Sequence, residues 1–147
     1  MRRFNLRKSI DDAWELLTVV GLAAEASRDR LSFTTDIQEA VSNADFVQEN
    51  VPERPLLKSK VFGQMDESAS SETILASSAS GITMDVIQSA CKRHPERCVL
   101  GHPFNPPHVI PLVEVVGGAN TSEAVIGPFT RPSVRSRSGC AKLSQAT

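Results

Sequence analysis

Short apolar segments alternate with segments of helical spacing along most of this chain, and this alternation constrains the fold more than any other feature. The strand-like segments are residues 31–34, 45–51, 73–76, 98–100 and 112–116. The segments with helical spacing or helix-start signals are residues 6–20, 36–40, 55–65, 84–91 and 122–126. Strands that alternate with helices form βα units, which build a mainly parallel sheet. The sequence therefore predicts an α/β fold.

Polar residues follow three of the predicted strands. Glu53, Ser80 and His102 each stand shortly after an apolar segment, and Glu114 lies within the last one. In parallel sheets, ligands bind beyond the carboxyl ends of the strands. We therefore expect these side chains to border one ligand site.

A histidine and a glutamate stand at the two ends of a proline-rich connection. His102 belongs to the sequence Gly-His-Pro-Phe-Asn-Pro-Pro, and Glu114 belongs to Pro-Leu-Val-Glu-Val-Val. The prolines of this connection are Pro103, Pro106, Pro107 and Pro111. Prolines leave the backbone few conformations, and histidine moves protons near neutral pH when a carboxylate holds its ring. Because an unpaired carboxylate is costly to bury, we predict that Glu114 pairs with His102.

Composition narrows the classes of protein that the chain can represent. Its 147 residues suit one domain with a core, and its net charge of −1 gives no reason to expect nucleic acid as a partner. No apolar run is long enough to span a membrane, and the basic start lacks the apolar core of a secretory signal. The cysteines Cys91, Cys98 and Cys140 are best explained as reduced thiols rather than metal ligands. We expect a cytoplasmic protein without a metal site, with mitochondrial or peroxisomal placement left open.

From about residue 6 to residue 129 the sequence resembles the NAD-binding domain of the 3-hydroxyacyl-CoA dehydrogenase superfamily. The matching text is Ala-Asp-Phe-Val-Gln-Glu-Asn-Val-Pro-Glu-Arg at 44–54, Lys58 in the next helix, Ile-Leu-Ala-Ser-Ser-Ala-Ser-Gly at 74–81, and the two histidine and glutamate segments. The His-Pro pairing and the double proline resemble the carnitine dehydrogenase and gulonate dehydrogenase (lambda-crystallin) branch. The resemblance implies a Rossmann-type, doubly wound parallel sheet.

The resemblance also implies an activity and a set of site residues. Enzymes of this superfamily oxidise a secondary alcohol by hydride transfer to NAD. By this resemblance His102 is the general base, Glu114 its orienting carboxylate, and Ser80 a ligand of the substrate oxygen. The residues expected to contact the cofactor are Glu53, Lys58, Ser80 and Asn105. The expected substrate is a small molecule with a 3-hydroxy group, either an acyl-CoA of fatty acid metabolism or a carnitine- or gulonate-like hydroxy acid.

The sequence departs from the family pattern at both ends. It contains no glycine-rich Gly-x-Gly-x-x-Gly turn, so we expect an incomplete sheet that lacks the first βαβ unit. By the same comparison we expect the chain to lack the helical domain that carries the family's dimer surface. We assign residues 1–129 to a partial NAD-binding domain and residues 130–147, rich in arginine and serine, to a disordered tail. Two hypotheses remain: a dehydrogenase domain, and a truncated, non-catalytic remnant.

Each candidate residue also has an ordinary structural interpretation. Ser80 lies in a serine-rich segment where a helix cap or turn is common. Glu53 and Lys58 are equally well explained as a solvated pair flanking a helix start, and Asn105 as a turn residue. His94 and His108 are more simply surface histidines.

Overall fold

The computed structural model describes residues 2–110 and 112–130. Pro111, part of the predicted motif, and residues 131–147, nearly all of the predicted tail, lie outside the described residues. The chain divides into two compact units, Met1–Thr35 and Asp36–Thr147. The helices are α1 (Arg2–Val20), α2 (Ile37–Val41), α3 (Pro55–Ser68), α4 (Met84–Gln88) and α5 (Glu123–Thr130), with 3-10 turns at Arg28–Arg30 and Pro95–Arg97. The strands are β1 (Phe46–Glu49), β2 (Ile74–Ser77), β3 (Cys98–Pro103) and β4 (Val113–Gly117).

The first unit contains the long helix that the apolar spacing predicts. Helix α1 ends at Val20, and in the next residue, Gly21, φ is 113° and the N–H donates to the Leu17 carbonyl at 2.9 Å. A positive φ favours glycine, which explains why the helix stops there. The strand predicted at residues 31–34 is wrong, because this segment is irregular and mostly exposed. Its aromatic side chain, Phe33, packs under the Arg7 guanidinium at 4.8 Å instead of entering a sheet.

The second unit is built on a four-stranded sheet with the order β1-β2-β3-β4. Strands β1, β2 and β3 are parallel, which confirms the α/β fold with a mainly parallel sheet. Strand β4 pairs antiparallel to β3. Only residues 104–112 connect these two strands, and a parallel crossover needs about a dozen residues or more, usually with a helix. The prolines in this connection are incompatible with such a helix.

Local signals set the helix starts of the second unit. The Asp36 side chain accepts the Gln38 N–H at 2.9 Å and so caps α2. Pro55 occupies the first turn of α3, where its missing N–H costs nothing. Helix α4 is shorter than predicted, because the chain turns after Gln88 and the Cys91 N–H bonds back to the Gln88 carbonyl at 2.9 Å.

The two faces of the sheet carry different cores. The larger cluster includes Phe62 of α3, Ile87 of α4, Leu75 of β2 and Cys98 of β3. The smaller cluster lies on the other face and packs Val125 of α5 against the sheet. Side chains of neighbouring residues in a strand point to opposite faces of the sheet. The two clusters therefore show which face each of the remaining strand residues occupies.

A buried carboxylate fixes the segment that leads into β3. Asp66 of α3 accepts the backbone N–H groups of Lys92 and Arg93 at 2.8 Å and that of His94 at 3.1 Å. It also pairs with the Arg97 guanidinium at 2.9 Å. Burial raises the pKa of Asp66, but the N–H groups of Arg93 and His94 and the Arg97 cation outweigh it and hold that pKa below the ordinary value. Asp66 thereby ties the 92–94 segment to α3.

Candidate active site

The register of the sheet places His102 and Glu114 directly opposite each other. In the antiparallel β3–β4 ladder their Cα atoms are partners, and opposed residues send their side chains to the same face. His102 lies inside β3, not after it as the sequence predicted, because the strand runs on to Pro103. Both side chains are partly buried. The described residues show no hydrogen bond between them, and the His102 ring instead packs edge-on against Phe104, with 6.3 Å between ring centroids.

The face that carries this pair also carries α3 and α4. Leu100 packs against the larger core cluster, and His102 lies two residues further along β3 on the same face. In the register, Glu49 of β1 is the partner of Ser77, and Ser77 is the partner of Leu100. Glu49, Ser77 and Leu100 therefore form one row across the sheet, and His102 and Glu114 form the next row toward the carboxyl edge.

Lys58 extends from α3 to the end of β1. Its ammonium donates to both carboxylate oxygens of Glu49 and to the Val51 carbonyl, each at 3.1 Å. The Glu49 carboxylate also accepts the Ser77 hydroxyl at 2.6 Å and the Val51 N–H. Burial of both side chains is almost complete, at 1% exposure each. The interpretation of Lys58 as half of a solvated surface pair is therefore wrong.

Glu53 is the exposed member of the same cluster. Its side chain is 41% exposed, and one of its oxygens, Oε2, lies 3.5 Å from the Lys58 ammonium. The other oxygen accepts the N–H of Gly81 at 2.9 Å and that of Ser80 at 3.0 Å. The Gly81 N–H lowers the pKa of Glu53 most strongly, and burial opposes it. The Ser80 N–H and the Lys58 cation add to the lowering, so that this pKa lies below its ordinary value. The carboxylate is fixed in place and charged at neutral pH.

Other predicted residues border this edge without joining the cluster. Ser80 is exposed, and its backbone, not its hydroxyl, makes the contact with Glu53. Asn105 is exposed in the connection between β3 and β4. That connection closes on itself, since the Phe104 N–H donates to the Leu112 carbonyl at 3.1 Å. The roles of Ser80 and Asn105 as ligands of substrate and cofactor stay predictions.

Sequence reasoning missed Glu49 and Ser77 as members of the site. Glu49 occurs in the matched text, but a glutamate at the end of a strand is usually solvated. A signal was present, because Glu49, Glu53 and Lys58 occur within one strand–turn–helix segment, where opposite charges can meet.

Comparison with known proteins shows the family to which the chain belongs. The profile of the 3-hydroxyacyl-CoA dehydrogenase NAD-binding domain matches residues 3–132. The chain belongs to the family of 3-hydroxyacyl-CoA dehydrogenase NAD-binding domains, as the resemblance implied. The fold agrees, because the chain superimposes on 3-hydroxybutyryl-CoA dehydrogenase of Escherichia coli K12 with a TM-score of 0.73 and 35% identity. That match covers 84% of this chain and 27% of the solved chain.

The similar curated proteins point to one branch of the family. L-carnitine dehydrogenase of Bacillus cereus is 50% identical over 121 residues, which are 82% of this chain and 37% of that enzyme. L-carnitine dehydrogenase of Pseudomonas putida is 47% identical over 121 residues, which are also 82% of this chain and 37% of that enzyme. A solved NAD+-dependent 5-formyl-3-hydroxy-2-methylpyridine 4-carboxylic acid 5-dehydrogenase matches with a TM-score of 0.75 and 38% identity, over 84% of this chain and 40% of its own. The chain thus spans somewhat over a third of the curated relatives that it matches.

Proposed function

We propose that this chain forms part of the reacting centre of an NAD-dependent dehydrogenase that oxidises a secondary alcohol to a ketone. The observation that carries the proposal is the opposed pair of His102 and Glu114, on the sheet face that also bears the Glu49–Lys58 cluster. A histidine beside a carboxylate is the usual arrangement of a general base. Identity of 47–50% to two L-carnitine dehydrogenases supports a carnitine-like hydroxy acid as the substrate class.

The proposed chemistry assigns one step to each residue. His102 takes the proton of the substrate hydroxyl while a hydride leaves the carbon that bears this hydroxyl, and that carbon becomes the carbonyl carbon of the ketone. NAD, when bound, supplies the acceptor of that hydride. The Glu114 carboxylate stabilises the imidazolium that forms on His102. The Ser80 hydroxyl donates a hydrogen bond to the substrate oxygen and holds it toward His102.

The described residues fit one half of the cofactor. Glu53 presents an exposed, charged carboxylate that two backbone N–H groups hold in place, which suits hydroxyl or amide donors at the nicotinamide end. Asn105 adds an exposed amide at the same end of the sheet. Lys58 stays a predicted cofactor residue, although its ammonium is buried. A glycine-rich turn, which gives N–H donors to the pyrophosphate in such domains, does not occur in these 147 residues.

A chimeric enzyme tests this proposal. The matched 121 residues of this chain replace the corresponding segment of the Pseudomonas putida L-carnitine dehydrogenase, which supplies the rest of the protein. We expect the chimera to reduce NAD in the presence of L-carnitine, followed by absorbance, and to lose turnover with His102→Gln. A folded chimera that oxidises neither L-carnitine, a 3-hydroxyacyl-CoA nor gulonate contradicts the proposal and favours the non-catalytic remnant.

A further inference from the structure

We propose that Gln48 is a positioning residue for His102, because its side-chain amide supplies a hydrogen bond that β2 does not give to the residue before the histidine, Gly101. Gln48 acts through the backbone, from the sheet face opposite His102. The proposal rests on the proposed function, since the position of His102 matters for catalysis only if His102 is the base.

The hydrogen bonds of β3 determine which way its peptide groups point. The Phe104 N–H donates to the Leu112 carbonyl at 3.1 Å, and in an antiparallel pair the hydrogen-bonded residues alternate with residues that are not. His102, two residues earlier in the same register, therefore bonds to β4 opposite Glu114. The N–H and the carbonyl of Gly101 then point the other way, toward β2.

Strand β2 ends before it can bind the Gly101 carbonyl. The parallel register stops at the pair of Ser77 and Leu100. In a continued parallel ladder the Gly101 carbonyl would accept the N–H of Ala79, two residues beyond Ser77. The Ala79 N–H instead donates to the Ser77 hydroxyl at 3.2 Å. Gly101 is buried, and a buried carbonyl that has no donor is costly.

Gln48 of β1 reaches across β2 and supplies the missing donor. Its side-chain Nε2 donates to the Gly101 carbonyl at 3.1 Å. The path is open because the register partner of Gln48 is Ala76, whose side chain is small, and because glycine has no side chain. A Cβ at residue 101 would lie 3.5 Å from the Gln48 Oε1 and 3.4 Å from the Ala76 Cβ. The Gln48 side chain therefore packs closely beside Gly101.

The consequence for His102 follows from a shared peptide group. The Gly101 carbonyl and the His102 N–H belong to one planar peptide. The Gln48 amide holds this plane from one side, and β4 holds it from the other. The plane determines where the His102 side chain begins, and a catalytic group needs its place to within about 0.5 Å. Loss of the Gln48 bond should therefore misalign the base without removing it.

Hydrogen exchange of the full chain tests the positioning without substrate or cofactor. Gln48→Met keeps a side chain of similar length and removes the N–H donor. We expect it to raise the exchange rate of the His102 amide about tenfold, the effect of losing one hydrogen bond in the same peptide group. Gln48→Glu places a carboxylate oxygen against the carbonyl and should raise the rate further. If both variants fold and leave that rate unchanged, the proposal is overturned.

Thr73→Val is the matched control, because it also removes a hydrogen bond from a side chain to a backbone carbonyl. The Thr73 hydroxyl donates to the Ala44 carbonyl at 2.6 Å, before β1 and β2 begin and so at the end of these strands away from His102. Thr73→Val should leave the exchange rate of the His102 amide unchanged. If it speeds that exchange as much as Gln48→Met does, Gln48 supports only the fold and the proposal is overturned.

Kinetics of the chimera with L-carnitine dehydrogenase separate positioning from stability. We expect Gln48→Met to lower kcat about ten- to a hundredfold with little change in KM, because small misplacements of reacting groups cost that much. Thr73→Val should keep both constants. An unchanged kcat in the Gln48→Met chimera overturns the proposal, even where the His102 amide exchanges faster. A chimera that is inactive with Gln48 intact contradicts the proposed function instead, and the exchange rate of His102 still decides whether Gln48 holds its peptide group.

Discussion

His102 and Glu114 are Cα partners in the antiparallel β3–β4 ladder. Opposed residues of such a ladder have Cβ atoms about 4.5–5.5 Å apart, so a change of side-chain rotamer can bring the imidazole and the carboxylate into hydrogen-bond contact. Catalytic hydrogen bonds are often long in the absence of substrate. The backbone thus supplies the proximity, and bound substrate can supply the final alignment.

The first prediction concerns His102 as the base. In the chimera with L-carnitine dehydrogenase, His102→Gln should lower kcat by about 10²–10⁴ with a smaller effect on KM, because general base catalysis typically contributes that factor. Steady-state kinetics measures it. His94→Gln is the control, since His94 lies away from the site and pairs with Glu96 at the surface. A His102 variant with an unchanged kcat contradicts the role of base.

The second prediction concerns the coupling of the pair. Glu114→Gln should lower kcat less than His102→Gln, because Glu114 acts only through the histidine. The double variant should then be no slower than His102→Gln alone, since residues that act as a unit are strongly non-additive. A double-mutant cycle in the same chimera measures this. Fully additive losses mean that Glu114 acts independently of His102.

Some features of the fold could be predicted from the sequence because their causes are local. Asp36 at the start of α2 and Pro55 in the first turn of α3 are sequence signals, and both act in the structure as predicted. The prediction of a strand at residues 31–34 was wrong because a strand depends on contacts that are not local. A short apolar run does not show whether a neighbouring strand is available, and Phe33 packs instead with Arg7.

Other features depend on contacts between distant residues. The antiparallel direction of β4 follows from the short connection of residues 104–112, and the length rule for parallel crossovers would have predicted it. The nearby opposite charges of Glu49 and Lys58 were visible in the sequence, but the burial of Glu49 was not, because it exists only once α3 places Lys58 beneath the ends of β1 and β2. The register that opposes His102 and Glu114 likewise needed the assembled sheet.

The third prediction concerns stability. Asp66→Asn should lower the free energy of unfolding by about 3 kcal/mol, because it leaves the buried Arg97 cation without its partner. The pKa of native Asp66 is lowered, so its stabilisation is present above the pKa of the unfolded state and is lost as the pH falls through the native value. Urea unfolding at pH 7 and at lower pH should therefore show the difference between the two proteins shrinking on acidification.

The matched control for that measurement is Glu96→Gln. Glu96 pairs with His94 at the surface, with half of its side chain exposed, and exposed pairs contribute little. Its variant should unfold within error of the native protein. If Glu96→Gln lowers the free energy of unfolding as much as Asp66→Asn does, then the burial of Asp66 is not the cause of its effect on stability.

The fourth prediction is a pH dependence at Glu53. Its pKa lies below the ordinary 4.5, chiefly because the Gly81 N–H binds the carboxylate. Ionised Glu53 holds residues 80–81 in place. This effect is present above the pKa that Glu53 has in the unfolded state, and it is lost as the pH falls through the lower pKa of the native state. A 13C NMR titration of the carboxyl carbon should have its midpoint below 4.5, and the Ser80 and Gly81 amide signals should shift with it.

Glu53→Gln provides the control for this titration, because it removes the ionisable group and keeps the shape. In that variant the Ser80 and Gly81 amide signals should no longer respond to pH in the same range. A midpoint for native Glu53 at or above the ordinary value would show that the two N–H groups do not bind the carboxylate in solution.

The last prediction concerns the polypeptide of these 147 residues taken by itself. We expect it to bind NAD poorly and to show no appreciable turnover, because it offers no glycine-rich turn for the pyrophosphate. We expect Glu53, Lys58 and Asn105 to reach only the nicotinamide half of the cofactor. Calorimetric titration with NAD is the measurement, and the chimera, which regains the relative's own turn, is the positive control. Micromolar binding at a single site of the isolated chain would show that another surface of this protein supplies the missing donors.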